Sequence, residues 1–323
     1  MLFKLCDFII ESNLHLLELI PVEEDLKAIY TFNFSTEKTE QKNQDGWLKT
    51  MPVRSDDDWI TIAKKENGFF FRFDEIADFE ISADDKTIKG YSCEGVPDST
   101  ISHLFLNQIM PHLVSGIDKR LVLHASAVEI NGEAVVFAGM TGKGKSTLAL
   151  YLCQSGFPLI SDDFLIVEER EGEMYALPSY PGVRLWENTL TNFYGTEESF
   201  PEVAHYTYKK RLRLEEKSLK FAFDSLPLRQ IYILGDVDED KMETSIQSVK
   251  ISEAFFEMME NIFRLDPEDE KRHELEFNQL GGLVSSVSFY RLAYPHNFDS
   301  FEEVRKQLLA NLDNRKESSK QHV

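Results

Sequence analysis

Val135-Val136-Phe137-Ala138-Gly139-Met140-Thr141-Gly142-Lys143-Gly144-Lys145-Ser146-Thr147 runs from an apolar strand through a glycine-rich turn into a helix start. Gly139, Gly144, Lys145 and Ser146 satisfy the P-loop pattern G-x-x-x-x-G-K-[ST]. Successive backbone N–H groups in such a turn form a concave nest for anions. The helix behind the turn adds unsatisfied donors and the positive end of its dipole. Met140, Thr141, Gly142, Lys143 and Thr147 complete the expected phosphate-binding segment. Lys145 is expected to reach the outer phosphates, and the Ser146 hydroxyl is expected to hold Mg²⁺. The flanks agree, with Val135–Ala138 as the buried strand and Leu148–Leu152 as the apolar helix.

Working outward, Asp162 and Asp163 fall at the end of the next short strand, after one helix and one loop. A strand-end carboxylate beside a P-loop Ser is what Mg²⁺ requires. Two adjacent carboxylates can also divide the work, one on the metal and one accepting a proton from an attacking hydroxyl. The alternative is an acidic turn. His124 precedes the loop on the strand Leu121–Ile130, where it is either an active-site imidazole or a satisfied core histidine. Asn131-Gly132 predicts a type I′ turn between that strand and the loop strand. Arg184 follows the Pro178–Gly182 turn and is a candidate for phosphate or acceptor contact, or for a structural ion pair. Lys210 and Arg211, in the basic run Lys209–Arg213, are candidates for phosphate or an acidic substrate, or for a solvated surface.

The 323 residues suggest one large or two ordinary domains. With 35 basic and 56 acidic residues the net charge is −21, which disfavours nucleic acid and anionic membrane as partners. Cys6, Cys93 and Cys153 lack metal or redox spacing and are expected to be reduced. No signal peptide and no apolar run of membrane length is seen, so a cytoplasmic protein is expected. Residues 1–118 read as a β-rich domain and 119–323 as the P-loop domain. In the first, Tyr30–Phe34, Trp59–Ala63 and Phe69–Phe73 predict strands, Ser35–Gly46 a loop, and Asp78–Ser82 with Thr87–Tyr91 a hairpin. Helices are predicted over Ser99–Val114, where Pro111 kinks or ends it, over Ser252–Arg264, over about Glu268–Val287 despite Gly281-Gly282, and over Phe301–Leu312. Asn314–Val323 is expected to fray.

The run Leu123-His124-Ala125-Ser126-Ala127, the P-loop and Ser161-Asp162-Asp163 together resemble the catalytic domain of HPr kinase/phosphorylase. The likeness is closer still to the HPr-kinase-like proteins of ribosomal-peptide gene clusters, including the lasso-peptide kinases. Those carry Arg-Leu-Trp after a Pro/Gly segment, as in Pro181-Gly182-Val183-Arg184-Leu185-Trp186. It is specific over 121–187 and rests on element order over 205–312. It implies an α/β fold, an HPr-kinase-like P-loop domain with a mixed sheet and flanking helices, behind a β-rich N-terminal domain. It also implies a Ser kinase using ATP or another nucleoside triphosphate and Mg²⁺, with a catalytic Asp as base and the His in the active site. The family's Glu-Ile-Arg-Gly-type motif is not found, so neither the phosphorylase half-reaction nor HPr as substrate follows. The expected acceptor is a hydroxyl of a peptide or protein. The sequence leaves open a nucleotide-binding ATPase or switch, a small-molecule kinase, and assembly as a homo-oligomer.

Overall fold

The structure is a computed structural model and describes residues 1–23, 26–40, 60–235, 243–295 and 297–320, with side chains through Asn314. Trp59 and the 41–46 part of the expected loop lie outside the described residues, as do residues 321–323. Two compact units form. The first comprises Met1–Arg120, Phe200–Arg211 and Arg264–His273, and the second Leu121–Ser199, Leu212–Phe263 and Glu274–Val323.

In the first unit, eight described strands make one sheet. They are β1 (Leu2–Leu5), β2 (Phe8–Ser12), β3 (Ile20–Pro21), β4 (Tyr30–Phe34), β5 (Ile60–Lys65), β6 (Gly68–Phe73), β7 (Ala77–Ser82) and β8 (Thr87–Ser92). Their order is β3-β1-β2-β4-β8-β7-β6-β5. β4 runs parallel to β2 and β8, and β7 and β8 form the expected hairpin. The period-two pattern turns Tyr30 and Phe32 inward. Phe32 stacks on Phe105 with ring centroids 4.1 Å apart. Phe105 belongs to the helix predicted over Ser99–Val114. That helix continues to Gly116, as α1 (Asp98–Leu104) and α2 (Met110–Gly116) joined by a π-helical turn at Phe105–Ile109. Pro111 has no N–H to return to the preceding turn, and the widened turn before it absorbs the mismatch without ending the helix.

The second unit is built on β9 (Leu121–Leu123), β10 (Ser126–Ile130), β11 (Glu133–Ala138), β12 (Leu159–Ser161), β13 (Leu165–Arg170), β14 (Glu173–Leu177) and β15 (Gly182–Trp186). β16 (Lys209–Arg213), which holds the basic run, has Lys209–Arg211 in the first unit and Leu212–Arg213 in the second, and after it come β17 (Leu226–Leu234), β18 (Ser245–Ser248) and β19 (Ser288–Ala293). The main path is β12-β10-β11-β17-β14-β13-β9, with β19 beside β17 and β18 beside β19. β11, β17 and β19 are parallel and the other pairings antiparallel, so the sheet is mixed. The helices are α3 (Lys145–Gln154), α4 (Glu187–Tyr194), α5 (Ile251–Met259), α6 (Glu270–Ser286) and α7 (Phe301–Lys320).

Asn131 and Gly132 both take positive φ, 56° and 80°, as the type I′ turn requires. Leu121–Ile130 is not one strand. It breaks at His124-Ala125, where β9 pairs with β13 while β10 pairs with β11 and β12. At the break the His124 N–H leaves the ladder and donates to the Asn261 carbonyl at 2.7 Å. α5 ends at Met259, short of the expected Arg264, and α7 runs past the expected fraying point to Lys320. α6 passes through Gly281-Gly282; a Cβ on Gly282 would lie 3.3 Å from Met174 Cε, whereas one on Gly281 would meet nothing within 4 Å. The core joins Val136 and Ala138 of β11 to Ile231 and Ile233 of β17, with Leu280, Leu283 and Val284 of α6. Among the described residues no helix is long and apolar enough to cross a membrane. Cys6, Cys93 and Cys153 are all free thiols.

Candidate active site

β11 delivers the glycine-rich loop at the carboxyl end of the three parallel strands, where α/β sheets characteristically present ligand sites. Gly144 is the N-cap of α3 with φ 88°, a left-handed conformation that glycine adopts without a Cβ penalty. Its Cβ position is also occupied, since it would lie 3.1 Å from the Tyr294 hydroxyl. Lys145 is buried, and its ammonium curls back to donate to the carbonyls of Gly139 at 2.7 Å and Met140 at 3.3 Å. Met140 is exposed on the loop.

The two aspartates sit in the short link between β12 and β13 and face different surroundings. Asp162 is fully buried. It accepts from Ser126 Oγ at 2.6 Å and from the Arg184 backbone N–H at 3.2 Å, and the Ser146 hydroxyl stands near enough to favour its charged form. Burial first, and the Asp163 carboxylate second, push Asp162 above the ordinary carboxylate range. Asp163 has φ 63°, a left-handed conformation that Asp tolerates better than most residues. Its Oδ1 lies 3.2 Å from His124 Nε2, and its Oδ2 lies 3.9 Å from Arg184 Nη1. The break between β9 and β10 is therefore what allows His124, half-buried, to meet Asp163.

Arg184 is 4% exposed on β15. Its guanidinium carbon is 5.4 Å from the centroid of the Tyr180 ring. Its Nε and Nη2 are buried and have no hydrogen-bond partner among the described residues. A buried guanidinium with two open donors is costly unless an anion completes it. The structure thus gathers Ser146, Asp162, Asp163, His124 and Arg184 into one connected group. It does not add the basic run. Arg211 is paired inside the first unit with Glu18 at 2.8 Å, both side chains nearly inaccessible, and Lys210 pairs with Glu202 at 3.1 Å. Their donors are committed to carboxylates, so the expectation of phosphate contact is not carried forward for either.

Among the described residues no group of three or more His, Cys, Asp or Glu is arranged to hold a metal by itself. Ser146 with Asp162 and Asp163 offers an all-oxygen set of one hydroxyl and two carboxylates, which suits Mg²⁺ completed by phosphate oxygens. The fully buried Asp162 carboxylate, with the Ser146 hydroxyl beside it, is the observation that fits such an ion.

Sequence reasoning missed several neighbours. Ser126 lies in the quoted His124 run but received no role. Tyr180 and Tyr294 adjoin prolines and read as turn residues. Asn261 accepts from the Gly139 N–H at 3.1 Å across 122 residues, a separation no local pattern announces.

No family model matches the chain. Over 82 residues it is 32% identical to the HPr kinase/phosphorylase of Clostridium tetani, covering 25% of this chain and 27% of that protein. Over 61 residues it is 39% identical to the HPr kinase/phosphorylase of Stenotrophomonas maltophilia, 19% of each. Over 159 residues it is 26% identical to the HPr kinase/phosphorylase of Mycoplasmopsis pulmonis, 47% of this chain and 51% of that protein. The chain thus spans from about a fifth to about half the length of these curated relatives, and it is distantly similar to them. Among solved structures, the HPr(Ser) kinase/phosphatase of Coxiella burnetii aligns with a TM-score of 0.35 and 11% identity, over 62% of this chain and 94% of that one.

Proposed function

We propose that the second unit is a P-loop kinase that transfers the γ-phosphoryl group of ATP, or another nucleoside triphosphate, to a hydroxyl of a peptide or protein. The acceptor is a Ser side chain, and a ribosomal precursor peptide of the lasso type is one member of that class. The observation that carries the reading is Arg184, whose buried guanidinium approaches the Asp163 carboxylate through Nη1 at 3.9 Å while Nε and Nη2 stay open. The Asp163 carboxylate, set between His124 and Arg184, supplies the proton acceptor that an attacking hydroxyl needs. Distant similarity to HPr kinase/phosphorylases, which carry the two activities of their name, supports the same class.

The roles follow from the environments. The loop Gly139–Thr147 cradles the phosphates with its N–H groups, and Lys145 exchanges its carbonyl partners for the outer phosphates. Asp162 and Ser146 would hold Mg²⁺, with Asp163 alongside; when bound, Mg²⁺ neutralises charge on the phosphates. Asp162 is fully buried and held by the Ser126 hydroxyl and the Arg184 N–H, which leaves no room for an acceptor. Asp163, partly accessible, takes the proton of the attacking hydroxyl. The acceptor oxygen forms its bond to the γ-phosphorus as the bridging oxygen leaves on the diphosphate, and the hydroxyl proton ends on Asp163. His124 orients that carboxylate through its 3.2 Å contact. Arg184 offers Nε and Nη2 to the oxygens of the transferring group.

Incubation of the full chain with ATP, Mg²⁺ and a library of Ser-containing peptides, read by mass spectrometry, tests the proposal. Phosphoserine is expected with the native chain and not with Asp163→Asn. Hydrolysis of ATP with no phosphorylated product would replace the kinase by an ATPase.

A further inference from the structure

The segment that follows α5 touches both halves of the candidate site, and it does so through one side chain and its own backbone. Asn261 is 6% exposed. Its Oδ1 accepts from the N–H of Gly139, the first glycine of the loop, at 3.1 Å. Its Nδ2 donates to the Glu257 carbonyl at 2.7 Å, which fixes the amide orientation. Its backbone carbonyl accepts from the His124 N–H at 2.7 Å, and its own N–H donates to the Met258 carbonyl at 2.9 Å. The next residues continue the attachment: Ile262 bridges to Leu123, and the Phe263 N–H donates to the Val122 carbonyl at 3.1 Å. The Phe263 ring lies 6.1 Å from the His124 imidazole.

Each contact answers an accounting problem. The Gly139 N–H sits where the strand turns into the loop, and its β-ladder partner is gone. The His124 N–H sits where Leu121–Ile130 breaks into two strands. Buried N–H groups at such points must find acceptors, and one asparagine supplies both. We infer that Asn261 is a positioning residue that fixes the start of the phosphate loop and the His124 break as one rigid piece, so that the nucleotide cradle and the acid–base pair keep a single spacing. This rests on the proposed kinase reading for its functional meaning, though not for its structural content.

Hydrogen exchange followed by mass spectrometry on the full chain, with and without Asn261→Ala, tests it. The substitution removes the Gly139 acceptor and the Glu257 anchor together. Peptides covering 121–128 and 135–146 are expected to exchange faster in concert, and Mg·ATP is expected to bind about tenfold more weakly. Asn107→Ala is the matched control. It removes another buried asparagine, one that bonds His103 in the first unit, and is expected to lower the melting temperature while leaving both peptides and the ATP affinity unchanged. Acceleration confined to 251–263, or in only one of the two peptides, overturns the inference. So does an ATP affinity that stays within about twofold of native. If Asn261→Ala does not fold, Asn261→Asp keeps the acceptor but loses the Glu257 anchor. A smaller, still joint acceleration is then expected, and none at either peptide overturns the inference. A native chain that fails to bind Mg·ATP would sink the kinase reading, while the joint exchange would still decide the coupling.

Discussion

Two buried arginine settings, one in each unit, are treated in opposite ways. In the first unit Arg72 meets Asp78 through two bonds, Nε to Oδ1 at 2.8 Å and Nη2 to Oδ2 at 2.9 Å, and Arg211 meets Glu18 at 2.8 Å. These are geometrically complete pairs, and their purpose ends with the fold. In the second unit Arg184 is as deeply buried, yet its nearest carboxylate oxygen is 3.9 Å away, and Nε and Nη2 are unmatched among the described residues. A fold under selection for stability alone has no reason to bury a guanidinium and leave two donors open. Under the proposed kinase reading, the difference separates charge committed to the fold from charge left for a ligand.

The comparison can be broken at several points. The largest effect is expected at Asp163→Asn. Asn also tolerates the positive φ at this position, so the fold should be silent to the change. Phosphoryl transfer should fall by about 100- to 10,000-fold while Mg·ATP affinity holds, as read by single-turnover kinetics and calorimetry. Retained transfer would remove Asp163 as the base. Next comes Asp78→Ala, which strands the Arg72 guanidinium in the first unit and should cost about 3–5 kcal/mol in urea unfolding. A loss below about 1 kcal/mol would show the pair to be ornamental.

A weaker effect is expected from pH. Burial pushes the His112 imidazole below its usual value of 6.5. The folded state therefore binds fewer protons than the unfolded chain, and stability is full above pH 6.5 and falls as pH drops below it. Urea midpoints of native and His112→Gln chains between pH 7 and 5 should diverge, with the flatter dependence in the variant. The smallest stability effect is expected at Arg184→Met. Removing a guanidinium whose buried donors are unmatched should leave the unfolding free energy within about 1 kcal/mol of native or raise it, in contrast with the loss at Asp78→Ala.

Much of the site was legible because its parts lie on short, regular spacings. The glycine-rich pattern, the following helix and the aspartate pair one strand later needed only local reading, as did the Asn131-Gly132 turn. The division between Asp162 and Asp163 was not legible, because it depends on which carboxylate Ser126, Ser146 and the Arg184 N–H enclose, and on a positive φ at Asp163. Nor was the break at His124, since Leu121–Ile130 reads as one strand and the acceptor of the His124 N–H, Asn261, is far away in sequence. The basic run misled in a simple way. Charge density was visible at Lys209–Arg213, but the partners Glu18 and Glu202 that absorb it were not paired with it in sequence. Fold class followed from the resemblance carried by the His124 run, the P-loop and the aspartate pair, whereas the continuation of the helix past Pro111 required a π-helical turn that no propensity signals.

The most direct test is trapping with Mg·ADP and aluminium fluoride, which mimics the phosphoryl group in flight and needs no acceptor. The native chain should form a slowly dissociating complex. Arg184→Met should bind Mg·ADP nearly as well as native and fail to trap the fluoride complex, while Arg72→Met should trap normally if it folds. Equal trapping by native and Arg184→Met chains would contradict the assignment of the open guanidinium to the transferring group.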